Sequence, residues 1–109
     1  MNSDVNISFK IITVSCIDIA ENKHSREVND LLVEELSELI QAVVKLERWD
    51  NGETTLRYNI DEIYNNLYED LADVIIMMLQ FIYKNDIECE KLLNEICKKL
   101  IRYYETKQE

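Results

Sequence analysis

Apolar residues recur every three or four positions along most of the chain, and the places where that rhythm stops divide it into four segments. The clearest segment covers residues 27–49, where Val28, Leu31, Leu32, Leu39, Ala42 and Leu46 share one helical face and Asp30, Glu34, Ser37, Gln41 and Arg48 gather opposite. Glu35 breaks this pattern. At about 100° per residue it falls within roughly 60° of the apolar positions, so its carboxylate points toward the core, with Glu38 at the margin of the same sector. The turn Asp50-Asn51-Gly52, extended by polar residues through Thr55, ends the segment because Asn and Gly tolerate positive φ.

Asn59 followed by Glu62 has capping-box spacing and predicts a helix from there to about residue 83. Its polar residues Glu62, Asn66, Glu69, Asp70, Asp73, Gln80 and Lys84 fall on one stripe, and apolar side chains cover most of the rest. So wide an apolar arc suggests burial on two sides, as in an oligomer. Asn85-Asp86 interrupts the pattern, and Asp86 is expected to cap a last helix through about residue 104, with Cys89, Leu92, Leu93, Ile96, Leu100 and Tyr103 on its inner side. Residues 105–109 are expected to fray. The first segment, residues 4–22, is two-faced: Val5, Ile7, Phe9 and Ile11 alternate like a strand, whereas Phe9, Ile12, Cys16 and Ile19 recur like a helix. A single strand would have no partner in a chain this poor in turns, so a helix is expected, joined to the next by polar residues 22–26. The pattern therefore predicts an all-α, four-helix bundle.

Composition supports that picture and narrows the function. With 109 residues, no Pro and one Gly, 47% apolar and 31% charged, the chain reads as one domain, residues 1–109, of long helices. A formal net charge of −10 and the lack of a basic stripe argue against binding nucleic acid or an anionic membrane. An acidic protein can still handle a polyphosphate when a divalent cation lies between carboxylates and phosphates. Cys16, Cys89 and Cys97 are odd in number and lack CxxC spacing, and no basic lead precedes the first apolar residues, so a reducing cytoplasm is the expected location. The longest apolar run, residues 74–79, is too short to span a membrane.

Residues three apart on a helix are surface neighbours, so Glu35 with Glu38, and Asp70 with Asp73 from a facing helix, can aim their oxygens at one point. Oxygen donors without His or Cys favour Mg²⁺, with Mn²⁺ as an alternative, over zinc. For the second acidic group a plain solvated face explains the pattern equally well. For Glu35 it does not, because an ionised carboxylate among leucines without a partner costs on the order of several kcal/mol.

The runs EELSELIQA at 34–42 and EDLADVIIM at 69–77 resemble the MazG-like all-α nucleoside triphosphate pyrophosphohydrolases, whose signature is ExxE followed by ExxD on successive helices. The resemblance spans roughly residues 27–103. It implies a MazG-like bundle completed by oligomerisation, as a dimer or a tetramer, and hydrolysis of a (d)NTP substrate between its α- and β-phosphates to (d)NMP and pyrophosphate. It also implies Mg²⁺ held by the acidic quartet, with Glu35 and Glu38 matching the first pair and Asp73 the closing Asp. Where the family usually carries Glu, this chain has Asp70, one methylene shorter, preceded by Glu69, which shares a helix face with Asp73. Either Asp70 or Glu69 is then the fourth ligand. Glu38 is the choice for the base that accepts a proton from the attacking water. Lys98, Lys99 and Arg102 resemble the family's basic residues and would neutralise phosphate charge, although basic residues near a helix C-terminus also suit the helix dipole. The departure at Asp70 keeps open a catalytically weak homologue that binds metal or nucleotide or serves as a helical interaction protein.

Other candidates are weaker. Glu21 and His24 form an ExxH, a di-iron ligand spacing, but a di-iron bundle needs two such pairs and further glutamates. Trp49 and Tyr58 flank the loop and could stack on a base, a position where aromatic residues more often serve packing.

Overall fold

The structure, a computed structural model, describes residues 3–52 and 59–107; Tyr58 and the polar loop extension at 53–55 lie outside these. The described residues form four helices, α1 (Ser3–Glu21), α2 (Ser25–Asp50), α3 (Ile60–Lys84) and α4 (Cys89–Lys107), with no strands among them. The ambiguous first segment is thus helical. α4 continues to Lys107, so residues 105–107, expected to fray, are helical.

Local chemistry sets the helix ends. The Asn59 side chain accepts the Glu62 backbone N–H at 2.8 Å and caps α3. At the end of α2, Asn51 N–H donates to the Glu47 carbonyl and Gly52 N–H to that of Trp49, with Gly52 at φ 70°, a conformation that glycine adopts without a Cβ penalty. The junction of α3 and α4 differs from expectation. Asp86 does not open α4 but closes α3: it sits at φ 52°, its N–H donates to the Tyr83 carbonyl, and the Ile87 N–H reaches back to Ile82. This is a Schellman turn with Asp in the place usually taken by glycine.

α3 is the central element, packed against α2 on one side and α1 on another. Ala42, Ile63 and Leu67 form a buried cluster between α2 and α3, flanked by Leu39, Leu46 and Trp49. Trp49 is therefore a packing residue. The buried residues of α1, Cys16 and Ala20, lie toward its C-terminal end. Polar ties cluster there: Lys84 Nζ donates to the Ala20 carbonyl at 3.0 Å, Tyr83 OH to Glu21 Oε1 at 3.0 Å and Lys23 Nζ to Gln80 Oε1 at 3.4 Å. Gln80, expected on the polar stripe of α3, is instead 2% exposed, because the chain crossing from α1 to α2 covers it and Lys23 meets its amide.

α4 stands apart. None of its residues is buried, and the intended inner side, including Leu93, Ile96, Leu100 and Tyr103, is exposed along the single chain. The radius of gyration is 17.5 Å, against about 13 Å for a compact chain of this length.

Candidate active site

Two turns of α2 and one of α3 bring three carboxylates together. The carboxyl oxygens of Glu35, Glu38 and Asp73, one from each residue, lie within 4.8 Å of one another. Glu35 and Glu38 are one helical turn apart, and the packing of Val74 and Met77 into the core fixes the rotation of α3 that presents Asp73 to them. Glu38 and Asp73 are exposed to solvent, whereas Glu35 is half-buried. Its Oε2 is buried and, alone among the buried side-chain oxygens and nitrogens of the described residues, has no hydrogen-bond partner. Burial, then the negative charges of Glu38 and Asp73, push the Glu35 carboxyl above the usual carboxylate range. Three acidic groups converge, and neither of the ion pairs Lys91 with Glu88 and Lys98 with Glu95 involves them, an arrangement that a hard divalent ion relieves.

The fourth position is divided. Asp70 is half-buried and lines a cavity of about 230 Å³ between α2 and α3, but it lies outside the three-carboxylate cluster. Glu69 is exposed and belongs to neither the cluster nor this cavity. Glu38 borders both, so the cavity opens directly off the acidic cluster. Its other walls are Gln41, Ala42, Lys45, Ile63 and Asn66. Gln41 was expected on the solvated side, and Lys45 carried no signal beyond its position two turns after Glu38. Only the inter-helix geometry turns them and Asn66 into a lining.

The basic candidates on α4 are placed differently. Lys98, Lys99 and Arg102 are exposed, and Lys98 Nζ lies 3.4 Å from Glu95 Oε1 on the same helix. They are not part of the wall shared by Glu38 and Asp70. Glu21 is engaged by the Tyr83 hydroxyl, and His24 occupies the exposed N-cap position of α2, so the two do not form a ligand pair with the acidic cluster. Cys16 is buried, and that burial raises its thiol pKa; Cys89 and Cys97 are exposed free thiols.

The sequence model of the MazG nucleotide pyrophosphohydrolase domain matches residues 23–106, taking in α2, α3 and nearly all of α4. The chain belongs to the MazG family. α1 precedes the MazG match, and the acidic residues of both helices lie within it. No curated protein and no solved structure matches the chain. Within the matched span, Glu35 and Glu38 lie on α2 and Asp70 and Asp73 on α3, and packing of these helices on one another sets the distance between the two groups. None of the described helices is long and apolar enough to cross a membrane.

Proposed function

We propose that this MazG-domain protein is a Mg²⁺-dependent nucleoside triphosphate pyrophosphohydrolase that converts a (d)NTP to (d)NMP and pyrophosphate and works as a homo-oligomer in the cytoplasm. The observation that carries this reading is the convergence of Glu35, Glu38 and Asp73 with the buried, partnerless Glu35 oxygen at its centre. The all-oxygen donor set fits Mg²⁺, or Mn²⁺, better than a softer metal. Glu35, Glu38 and Asp73 would hold the ion, with Asp70 or Glu69 reaching it through water. Of these two, the cavity it shares with Glu38 favours Asp70.

Bound there, the ion would supply positive charge to the phosphoryl oxygens and acidify a water molecule. Glu38, exposed on the cavity side, accepts the proton of the attacking water. Glu35 holds its charge where water does not reach one of its oxygens, which keeps the binding oxygens in fixed positions. Lys98, Lys99 and Arg102 neutralise phosphate charge, and because α4 stands off from its own acidic helices, they act from a second chain.

The test is incubation with Mg²⁺ and a panel of ribo- and deoxyribonucleotides, reading monophosphate and pyrophosphate release. Glu38→Gln abolishes release if the reading is right, and a chain that cleaves no nucleotide above that control is not this enzyme. The position of Asp70 outside the cluster favours a second reading, a homologue that binds metal or nucleotide with little turnover. Calorimetric Mg²⁺ binding without product release would identify it.

A further inference from the structure

We infer that the cavity between α2 and α3 reads the base of the substrate, and that Lys45, beside Gln41 and Asn66, selects a nucleotide of uracil or thymine over one of cytosine or a purine. The inference rests on the nucleotide reading of the acidic site and adds the substrate class.

α2 and α3 run antiparallel: Asn85 Nδ2 donates to Asn29 Oδ1 at 3.0 Å toward one end, and Ala42 packs with Ile63 and Leu67 toward the other. Their facing residues therefore come in layers about one turn apart: Glu35 with Asp73, Glu38 with Asp70, Gln41 and Ala42 with Asn66, and Lys45 with Ile63. Glu38 belongs to the carboxylate cluster, and the layers from Glu38 to Lys45 line the cavity of about 230 Å³. Seven positions separate Glu38 from Lys45 and seven separate Asp70 from Ile63, a run of about 10 Å along each helix. A sugar and a single ring extending from a phosphate held at the cluster fit that run.

Charge and size decide which end of the substrate enters. Glu38 and Asp70 at the mouth repel further phosphate, so the uncharged nucleoside end turns inward. The cavity is smaller than the ~300–1,000 Å³ of pockets that enclose drug-sized ligands, which suits one ring better than the fused pair of a purine. Ala42 and Ile63, 6% and 3% exposed, supply an apolar wall for the ring face. The carboxamides of Gln41 and Asn66 both donate and accept, and by turning over they suit the edge of any pyrimidine. Lys45 does not have that freedom, because an ammonium only donates. It is half-buried at the end of the run farthest from the cluster, where the C4 substituent of the ring arrives. Uracil and thymine present a carbonyl oxygen there and cytosine an amino group, so Lys45 meets an acceptor in one case and a second donor in the other.

The test compares kcat/KM of the full-length chain in Mg²⁺ for dUTP, dTTP, dCTP, dATP and dGTP. Calorimetric binding of dUMP and dCMP is measured alongside, for the parent, Lys45→Gln, Lys45→Arg and Lys45→Glu. The expected result is a parent that favours dUTP and dTTP over dCTP by at least about tenfold. Lys45→Arg keeps that preference, Lys45→Gln loses it through KM rather than kcat, and Lys45→Glu, which offers an acceptor, turns it toward dCTP. A lysine that only supports the fold would instead lower every nucleotide together. A parent that does not favour uracil or thymine, or a uracil-to-cytosine ratio unmoved by Lys45→Gln, overturns the pocket. If nothing is hydrolysed but dUMP still binds about tenfold tighter than dCMP in a Lys45-dependent way, the pocket stands and the hydrolase reading falls. If the two monophosphates bind equally or not at all, the pocket falls as well.

Discussion

Glu35→Gln offers a measurement in which loss of a charge stabilises the metal-free protein and removes its response to metal. Glutamine keeps the shape of the side chain and a polar atom in the buried position, so the substitution isolates charge. Taking 4.8 Å as the separation, each repulsion from Glu38 and Asp73 is about 0.9 kcal/mol in a water-like dielectric, and salt screening at physiological strength brings the pair to about 1 kcal/mol. The water-like value is used because Glu38 and Asp73 are exposed. Relief of about 1 kcal/mol corresponds to a rise of roughly 4–8 °C in Tm for a domain of this size.

In chelator the variant should therefore melt above the parent at equal protomer concentration. Mg²⁺ at ten times its Kd should then raise the parent by about 1.4 kcal/mol and leave the variant nearly unmoved, reversing their order. The pH dependence has a defined sign. The native Glu35 carboxyl titrates above its ordinary value of 4.5, so its ionisation weakens the metal-free fold as pH rises through that raised pKa. Conversely, the gap between parent and variant closes as pH falls through the same window and is gone below 4.5. Circular dichroism melts in chelator and in Mg²⁺, from pH 4 to pH 8 at about half-unit steps, measure both effects. A variant less stable than the parent in chelator, or equal Mg²⁺ stabilisation of both, would refute a site built on carboxylate repulsion.

Other expectations follow from the same geometry. Because metal binding requires the Glu35 carboxylate, Mg²⁺ association should release protons near the raised pKa, seen as a dependence of calorimetric heat on buffer ionisation enthalpy. Asp70→Glu restores the missing methylene and should tighten Mg²⁺ binding and raise kcat/KM several-fold, whereas Asp70→Asn should lower both, as read by steady-state pyrophosphate release. Ile63→Ala empties a site 3% exposed in the α2–α3 core and should cost about 3 kcal/mol by urea denaturation. Asn59→Ala removes the α3 cap and should cost about 1 kcal/mol in the same assay.

Where the fold was legible in the sequence, local chemistry and helical periodicity agreed. Asn59 caps α3 because its side chain reaches an amide three residues on, a purely local matter, and Glu35 lies inward because its angular position among Leu31, Leu39 and Ala42 leaves no other direction. Gln80 was misassigned to a solvated stripe because its cover comes from Lys23, 57 positions away, which no helical wheel contains. Asp86 looked like a cap for the following helix, but the preceding helix uses it in the left-handed region; both roles favour Asp and Asn, and backbone dihedrals alone separate them. The periodicity of α4 marked Cys89, Leu92, Leu93, Ile96, Leu100 and Tyr103 as an inner side, yet all six are exposed in the single chain, because an apolar stripe does not name the surface that covers it. Spacing brought Glu35, Glu38 and Asp73 together, and their oxygens do converge, but Asp70, expected to aim at the same point, lies outside that cluster. The walls formed by Gln41, Lys45 and Asn66 were not legible in spacing, since they meet only through the crossing of two helices.

The attachment of α1 has an evolutionary consequence. Its ties, through Ala20, Glu21 and Lys23, engage only the last turns of α3 near Gln80, Tyr83 and Lys84, whereas Asp70 and Asp73 lie two to three turns earlier. A leading helix moored at one end and preceding the MazG match can be gained, lengthened or exchanged by a lineage while the acidic residues keep their geometry. The N-terminal segment is thus free to diverge and adapt the domain to new surroundings without renegotiating its chemistry.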